Sequence, residues 1–310
     1  MRFNRLDLNL LVALDALLVE RSITKAAERL NLSPSATSNA LNRLREYFDD
    51  ELLVQVGRRM EPTPRAQGLQ DAVRDVLVRV DSAIAIQPNF DPTTSDRVFR
   101  IFVSDYTQFV LAPHVLALAN AARCKARFEF LPQVSNPVGE LERGEADLLI
   151  LPRDFLSPDH PEEVLYSEEF TCVVWADGKL AKGALNFERY LAAGHVVMRP
   201  TGNPIGESFE AWFVKRYGVT RRVAVTTYGF APLPAMVVGT DFVATVHQRL
   251  ARLAQGLWPI ALRTPPLPIT PMEQALQWHK YRTKDPGLVW LRELFRQAVV
   301  RMDAGIASPA

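Results

Sequence analysis

At 310 residues, with 48% apolar and 23% charged side chains, the chain has ordinary globular make-up and enough length for several compact units. A net charge of +1 excludes a nonspecific nucleic-acid coat, so any positive field is local to one face. Two cysteines, Cys124 and Cys172, argue against a disulfide framework, and no uninterrupted apolar stretch is long enough to span a bilayer.

In chain order, the first informative stretch is RSITKAAERLNLSPSATSNALNRLREYF, residues 21–48. Ile23, Ala26, Ala27 and Leu30 fall at i, i+3, i+4 and i+7, the apolar stripe of a short helix that Ser22 is placed to cap. Asn31-Leu32-Ser33 makes a tight joint. Ser33 then caps a second helix, and Pro34 takes its first position, where a missing N–H costs nothing. Ala40, Leu41, Leu44 and Phe48 face inward along that helix, whereas Ser35, Ser38, Asn39, Asn42 and Arg45 recur on the opposite side. Those outer residues suit a major groove. Asn pairs with an adenine edge, Arg with a guanine edge, and short hydroxyls permit close approach. The pattern predicts a helix-turn-helix whose expected DNA contacts are Ser33, Ser35, Thr37, Ser38, Asn39, Asn42, Arg43 and Arg45. The alternative is an ordinary solvated helix face, although such faces more often carry Glu and Lys.

The following DDELLVQVGRRMEPTPRA predicts a β-hairpin wing: an apolar run from Leu52 to Val56, a Gly57-Arg58-Arg59 tip and a return to Pro62. Arg58 and Arg59 would reach phosphates or the minor groove, adding affinity without sequence choice. Thr63-Pro64 opens a long helix in which Ala66, Leu69, Val73, Val76, Val80 and Ala83 alternate steps of three and four, the seam of a two-stranded coiled coil. At about three heptads the seam is marginal alone. A dimer is expected, and with it an interrupted inverted repeat as the double-stranded DNA target. A helix packed on its own domain is the competing account of the same stripe.

Gln87-Pro88 and the polar PNFDPTTSDR predict a hinge over 88–96. Beyond it come strands at Val98–Val103, Arg127–Leu131 and Leu148–Leu151, with helices from Pro113 to about Arg123 and around Gly139–Arg143. A second unit has strands at Phe170–Trp175, His195–Met198, Val223–Thr227 and Val243–Val246, with helices from Glu207 to Tyr217 and near Pro232–Val238. A strand at Gln274–Trp278 and a helix over Val289–Met302 close the chain. This rhythm predicts sheets with parallel strands covered by helices. Paired units of that kind bind ligands between them, just past the carboxyl ends of strands. The candidate effector contacts are therefore Ser104, Asp105, Tyr106 and Thr107 with Phe109, then Thr201, Gly202 and Asn203, then Tyr228 with Phe230, and His247. Aromatic walls with few polar anchors suit a small, flat, weakly polar aromatic molecule. Each group also has a structural account: Ser104 and Thr107 as helix caps, Tyr228 and Phe230 as core rings, His247 and His279 as core histidines.

The opening LDLNLLVALDALLVERSITKAAERL, the phrase DDELLVQVGRRMEPTPRA, and the later FDPTTSDRVFRIFVSD and WHKYRTKDPGLVWLRELF carry a resemblance to LysR-type transcriptional regulators over nearly the whole chain. Within that family the chain is similar to the branch of rhizobial nodulation-gene regulators and regulators of aromatic and chloroaromatic degradation. One departure is Pro34-Ser35, which stands where the family usually has Gln-Pro and removes a glutamine often assigned to base contact.

The resemblance implies an α/β fold class with an N-terminal all-α winged helix-turn-helix over 1–63 and a linker dimerisation helix over 64–87. After the hinge it implies an effector domain over 97–310, like a periplasmic binding protein: subdomain I at about 97–166 and 269–302, and subdomain II at about 167–268. Crossovers near Tyr166 and Pro268, and Phe170 and Gln277 as further cleft walls, follow from it as well. So does a homodimer or homotetramer that works with RNA polymerase to activate an aromatic-compound catabolic or related operon.

An enzyme is the rival class. Against it, the chain lacks a G-x-S-x-G elbow, a phosphate-binding G-x-x-x-x-G-K and any Cys/His cluster with metal spacing. His160 lies in a proline-rich loop, and Glu162-Glu163 and Glu168-Glu169 read as solvated carboxylates. No cofactor, metal or membrane partner is expected. Met1 runs into an amphipathic segment interrupted by Asn9 and Asp15 rather than a cleavable signal, so the expected location is cytoplasmic.

Overall fold

The computed structural model describes residues 6, 8–57, 59–84, 89–132, 136–199, 215–218 and 220–307. The chain divides into two compact units at Ile86/Gln87. In the first, α1 (Leu8–Glu20), α2 (Ile23–Leu30) and α3 (Pro34–Phe48) precede a hairpin of β1 (Leu53–Val56) and β2 (Arg59–Pro62), and α4 (Pro64–Ile84) follows. Leu10, Leu14, Leu17 and Leu18 of α1 form a core with Ala26, Leu41 and Leu44. Asn31 ends α2 with φ 54°, a left-handed conformation that asparagine tolerates. Its N–H, and that of Leu32, return to the Ala27 carbonyl, which turns the chain sharply into α3. The hairpin pairs Leu53 with Pro62 and Val56 with Arg59, and Gly57 supplies the positive φ of +63° that its tight tip requires.

The stripe along α4 is divided between two uses. Ala66 and Val73 are buried and Leu69 partly so, all three against the core built on α1, and Arg74 pairs with Asp15 at 3.1 Å. These positions are therefore packed within their own unit. Val76 is 43% exposed and Val80 is half-buried, while the side chain of Ala83 lies outside the described residues.

The second unit holds two five-stranded sheets of the same design. One runs β4 (Arg127–Pro132), β3 (Val98–Val103), β5 (Leu148–Pro152), β12 (Met272–Gln277), β6 (Glu162–Glu168). The other runs β9 (Val223–Thr227), β8 (Gly194–Met198), β10 (Phe242–His247), β7 (Phe170–Trp175), β11 (Ile260–Arg263). In each, the first three strands are parallel and the fourth is antiparallel to both neighbours. That fourth strand arrives from the other half, since β7 continues from β6 and β12 from β11. Strand alternation places Phe99, Ile101 and Val103 under α5 (Asp105–Val110), α6 (Ala112–Ala121) and the closing helix Pro286–Ala307, and Phe102 with Leu149 and Leu151 on the other face.

Several expected boundaries moved. The helix expected from Pro113 begins at Asp105 and breaks at Leu111, because Pro113 has no N–H to continue the ladder. Near Pro232–Val238 only a single 3₁₀ turn forms, Ala235–Val237, next to Pro232 and Pro234. The helix Gln248–Gln255 was not anticipated. Residues 89–96, expected as a hinge, dock on the second unit: Phe90 lies 5.7 Å from Phe99 and 5.2 Å from Trp290, and the Lys125 N–H donates to the Pro92 carbonyl. Most of the helix expected over Glu207–Tyr217 falls outside the described residues.

Candidate DNA-binding face and effector cleft

On α3, Ser33, Ser35, Asn39, Asn42 and Arg43 are exposed, and Ser38 is half-buried. The Ser33 hydroxyl accepts the Ala36 N–H at 3.2 Å and lies 3.0 Å from the Ser35 hydroxyl, so it braces the start of the helix. Two expected contacts point elsewhere. Thr37 is fully buried, and its hydroxyl donates to the Ser33 carbonyl at 3.2 Å. Arg45 donates to the carbonyls of Glu51 (2.9 Å) and Leu53 (3.0 Å) and pairs with the Glu51 carboxylate at 3.2 Å. Its guanidinium thus ties the β1–β2 hairpin to α3.

The wing's entry is held from the other side by Asp50. Its carboxylate accepts the Leu52 N–H at 2.7 Å and the Thr63 hydroxyl at 2.6 Å, and the Thr63 bond above all keeps the carboxyl below the usual carboxylate range. Leu52 is buried at φ +59°, and these bonds stabilise that left-handed turn. Arg59 is exposed at the start of β2, and Arg58 lies outside the described residues.

In the second unit, strand ends bring four of the expected cleft rings together. Tyr106 and His247 stack at 3.9 Å and 15°, Phe230 meets His247 edge-on at 4.7 Å, and Phe170 lies 5.2 Å from it. His247 is 4% exposed, and burial pushes its imidazole down to about 3, so it is neutral, with a buried Nδ1 that has no hydrogen-bond partner. Tyr106 donates to Glu168 at 2.5 Å. Burial, with neighbouring Tyr166 and Glu168, pushes this phenol well up and keeps it a donor.

Glu168, expected in solvent, is fully buried. The reason is its partners: Arg249 pairs with it through the guanidinium at 2.7 Å and donates its backbone N–H at 3.0 Å. Arg249 also lies 4.7 Å above the Tyr166 ring and pairs with Asp303 at 2.8 Å.

Polar groups gather beside the rings. Ser104 Oγ lies 3.0 Å from Thr107 Oγ1, which accepts Gln274 Nε2 at 3.0 Å. Asp105 spans the two halves by accepting the Ala231 N–H at 2.8 Å. Gly229 is needed beside it, since a Cβ there would come within 2.4 Å of the carboxylate.

Other expected residues do not join this cluster. Phe109 is 42% exposed and lines an open groove of about 650 Å³ with Pro113, Ala231, Leu253 and Leu257. Tyr228 is 81% exposed. Thr201, Gly202 and Asn203 lie outside the described residues. Gln277 spends its amide on the loop before β6, accepting the Ser157 N–H at 3.1 Å and donating to the Ser157 carbonyl at 2.7 Å. It is Gln274 that meets α5. The two glutamines are three apart in one strand and so point to opposite faces, a signal already present in the pattern. Nothing comparable in the sequence distinguished Glu168 from its exposed neighbour Glu169 or singled out Arg249.

Residues 8–67 match the family model described as bacterial regulatory helix-turn-helix protein, lysR family, and residues 93–300 match the LysR substrate binding domain. The chain belongs to the LysR family of transcriptional regulators. It is 40% identical over 302 residues to nodulation protein D 2 of Rhizobium leguminosarum bv. phaseoli, covering 97% of this chain and 95% of that protein. It is also 40% identical over 303 residues to nodulation protein D 1 of Rhizobium meliloti (strain 1021), covering 98% of each.

A probable transcriptional regulator from Pseudomonas aeruginosa has a similar structure, with a TM-score of 0.63 and 30% identity over 94% of this chain and 97% of that one. Full-length OxyR from the same species shares the fold alone, with a TM-score of 0.67 at 16% identity over 95% of this chain and 94% of that one. LysR regulators bind promoter DNA and small-molecule effectors, form oligomers and are not enzymes. Among the described residues no helix is long and apolar enough to cross a membrane.

Proposed function

We propose that this LysR-type regulator is an activator controlled by a small aromatic effector, such as a phenol, hydroquinone, benzoate or flavonoid, bound between its two α/β subdomains. The observation that carries this is the convergence of Tyr106, Phe170, Phe230 and His247 around a junction that also bears the half-buried Ser104 hydroxyl. The target is an aromatic-compound catabolic or related operon. The nodulation proteins among its relatives favour the related kind. Ser35, Ser38, Asn39, Asn42 and Arg43 face the bases or adjoining phosphates, and Arg59 reaches the backbone. Val76 and Val80 supply the dimer seam, two dimers make the tetramer, and RNA polymerase is recruited at the promoter. The effector favours one closure of the cleft only by its difference in affinity for the two states.

Footprinting upstream of the protein's own gene, with and without a panel of these compounds, tests the proposal. The expected result is protection over an interrupted inverted repeat that changes length or bend with one compound. Protection that no aromatic alters removes the effector class, and absence of protection at low salt removes the operator.

A further inference from the structure

Gln274 and Thr107 are 1% and 2% exposed, whereas Ser104, to which they are linked, is half-buried and the most open of the three. Gln274 Nε2 donates to Thr107 Oγ1 at 3.0 Å, so one acceptor site of that hydroxyl is taken. The Thr107 hydroxyl also meets Tyr166, and 3.0 Å away lies Ser104 Oγ, to which it can give its proton. Ser104 Oγ also accepts the Thr107 backbone N–H at 3.1 Å. When the Thr107 hydroxyl donates as well, Ser104 has received two donors and has only its own proton left to offer. Ser104 stands at the carboxyl end of β3, where the strand order β4-β3-β5 reverses direction, which is where an α/β sheet opens to a ligand. The far end of the Gln274 amide supplies an independent sign that this side chain is not there for packing. Its Oε1 is buried without a donor, a cost that a leucine at 274 would avoid.

We propose that Gln274 is a positioning residue that sets the hydrogen-bond polarity of the effector cleft, making Ser104 a donor and selecting flat aromatics that present an acceptor. The favoured group is a ring carbonyl or carboxylate oxygen, and a donor-only N–H or O–H group is disfavoured. This rests on the effector site proposed above and adds the chemical class that the site selects.

The test titrates the full-length protein with 1-indanone, a bicyclic probe with an acceptor only, and indole, a bicycle of similar size with a donor only. Wild type is expected to bind 1-indanone about tenfold more tightly, since the wrong partner leaves a buried polar group unpaired. Gln274→Leu releases the Thr107 hydroxyl, and the ratio falls towards unity. Gln274→Glu, when ionised, accepts the Thr107 proton instead; Thr107 then accepts from Ser104, and the ratio turns in favour of indole. Thr107→Val is the second variant should position 274 fail to fold, and it too lowers the ratio.

Equal weakening of both probes in every variant would mark Gln274 as structural and overturn the proposal. A wild-type preference for indole would overturn it by showing the opposite polarity. Binding of neither probe, together with a footprint indifferent to all aromatics, would remove the effector site itself. A footprint that responds while the probe ratio does not would remove only the role of Gln274.

Discussion

His195 is fully buried, with Nε2 2.8 Å from the Tyr190 carbonyl and Nδ1 3.3 Å from the Arg221 guanidinium. The Tyr190 carbonyl requires the proton on Nε2, which leaves Nδ1 to accept from Arg221. Burial, and then the Arg221 charge, push the imidazole down from 6.5 to about 4. The unfolded chain therefore binds the extra proton first. Stability from this site is complete above about pH 6.5 and is lost as the pH falls towards the folded value, by up to about 3 kcal/mol. His247 adds to the loss over the same window. The expected outcome is a urea midpoint that drops sharply between about pH 7 and pH 5, and drops less in His195→Asn, which keeps an acceptor for Arg221. Equal slopes in the two proteins would mean that His195 takes up its proton without unfolding anything.

At the scale of elements, the proposed DNA face gives base choice to α3 and affinity to the wing. Asn39 is exposed on α3, and Asn39→Ala should weaken binding to the operator by about 1–3 kcal/mol while leaving nonspecific DNA unaffected. Arg45 has its guanidinium on the Glu51 and Leu53 carbonyls, so Arg45→Ala frees the wing and weakens both kinds of DNA alike. Since no phosphate contact is lost directly from Arg45, the salt slope should stay nearly constant, whereas Arg59→Ala should lower it by about 1. Filter-binding titrations over a salt series check all three variants. A selective loss of operator binding in Arg45→Ala would return that arginine to the groove.

Across the whole effector unit, Glu168 is where the chain leaves one sheet for the other, and three elements meet on its carboxylate: the end of β6, Tyr106 of α5 and Arg249 of the Gln248–Gln255 helix. Its removal strands a buried phenol and strips Arg249 of its most buried partner, although Asp303 remains 2.8 Å away. Glu168→Ala should destabilise the effector unit by about 3 kcal/mol in urea unfolding, as expected when one member of a buried ion pair is lost. A loss below about 1 kcal/mol would mean that Arg249 and Tyr106 find solvent at once.

The sequence by itself determined the elements whose information is local. The caps Ser22 and Ser33, Pro34 at the start of α3, and the apolar runs of β3 and β7 act through neighbours a few residues away, and the helix-turn-helix and sheet strands were legible for that reason. The rings Tyr106, Phe230 and His247 are legible as a group because each follows or ends a strand, and Phe170 joins them through the family resemblance. Tertiary structure decided the rest, because hydrogen bonds and burial depend on partners far along the chain. Arg45 is expected at DNA from helical spacing and Thr37 as a short hydroxyl of the same helix, yet Arg45 is held by the wing and Thr37 is buried. Half of the α4 stripe meets α1, and Gln274, not Gln277, reaches α5 across 167 residues of sequence. Glu168 is buried while Glu169 beside it is exposed, because an Arg249 guanidinium 81 residues away pairs with the first.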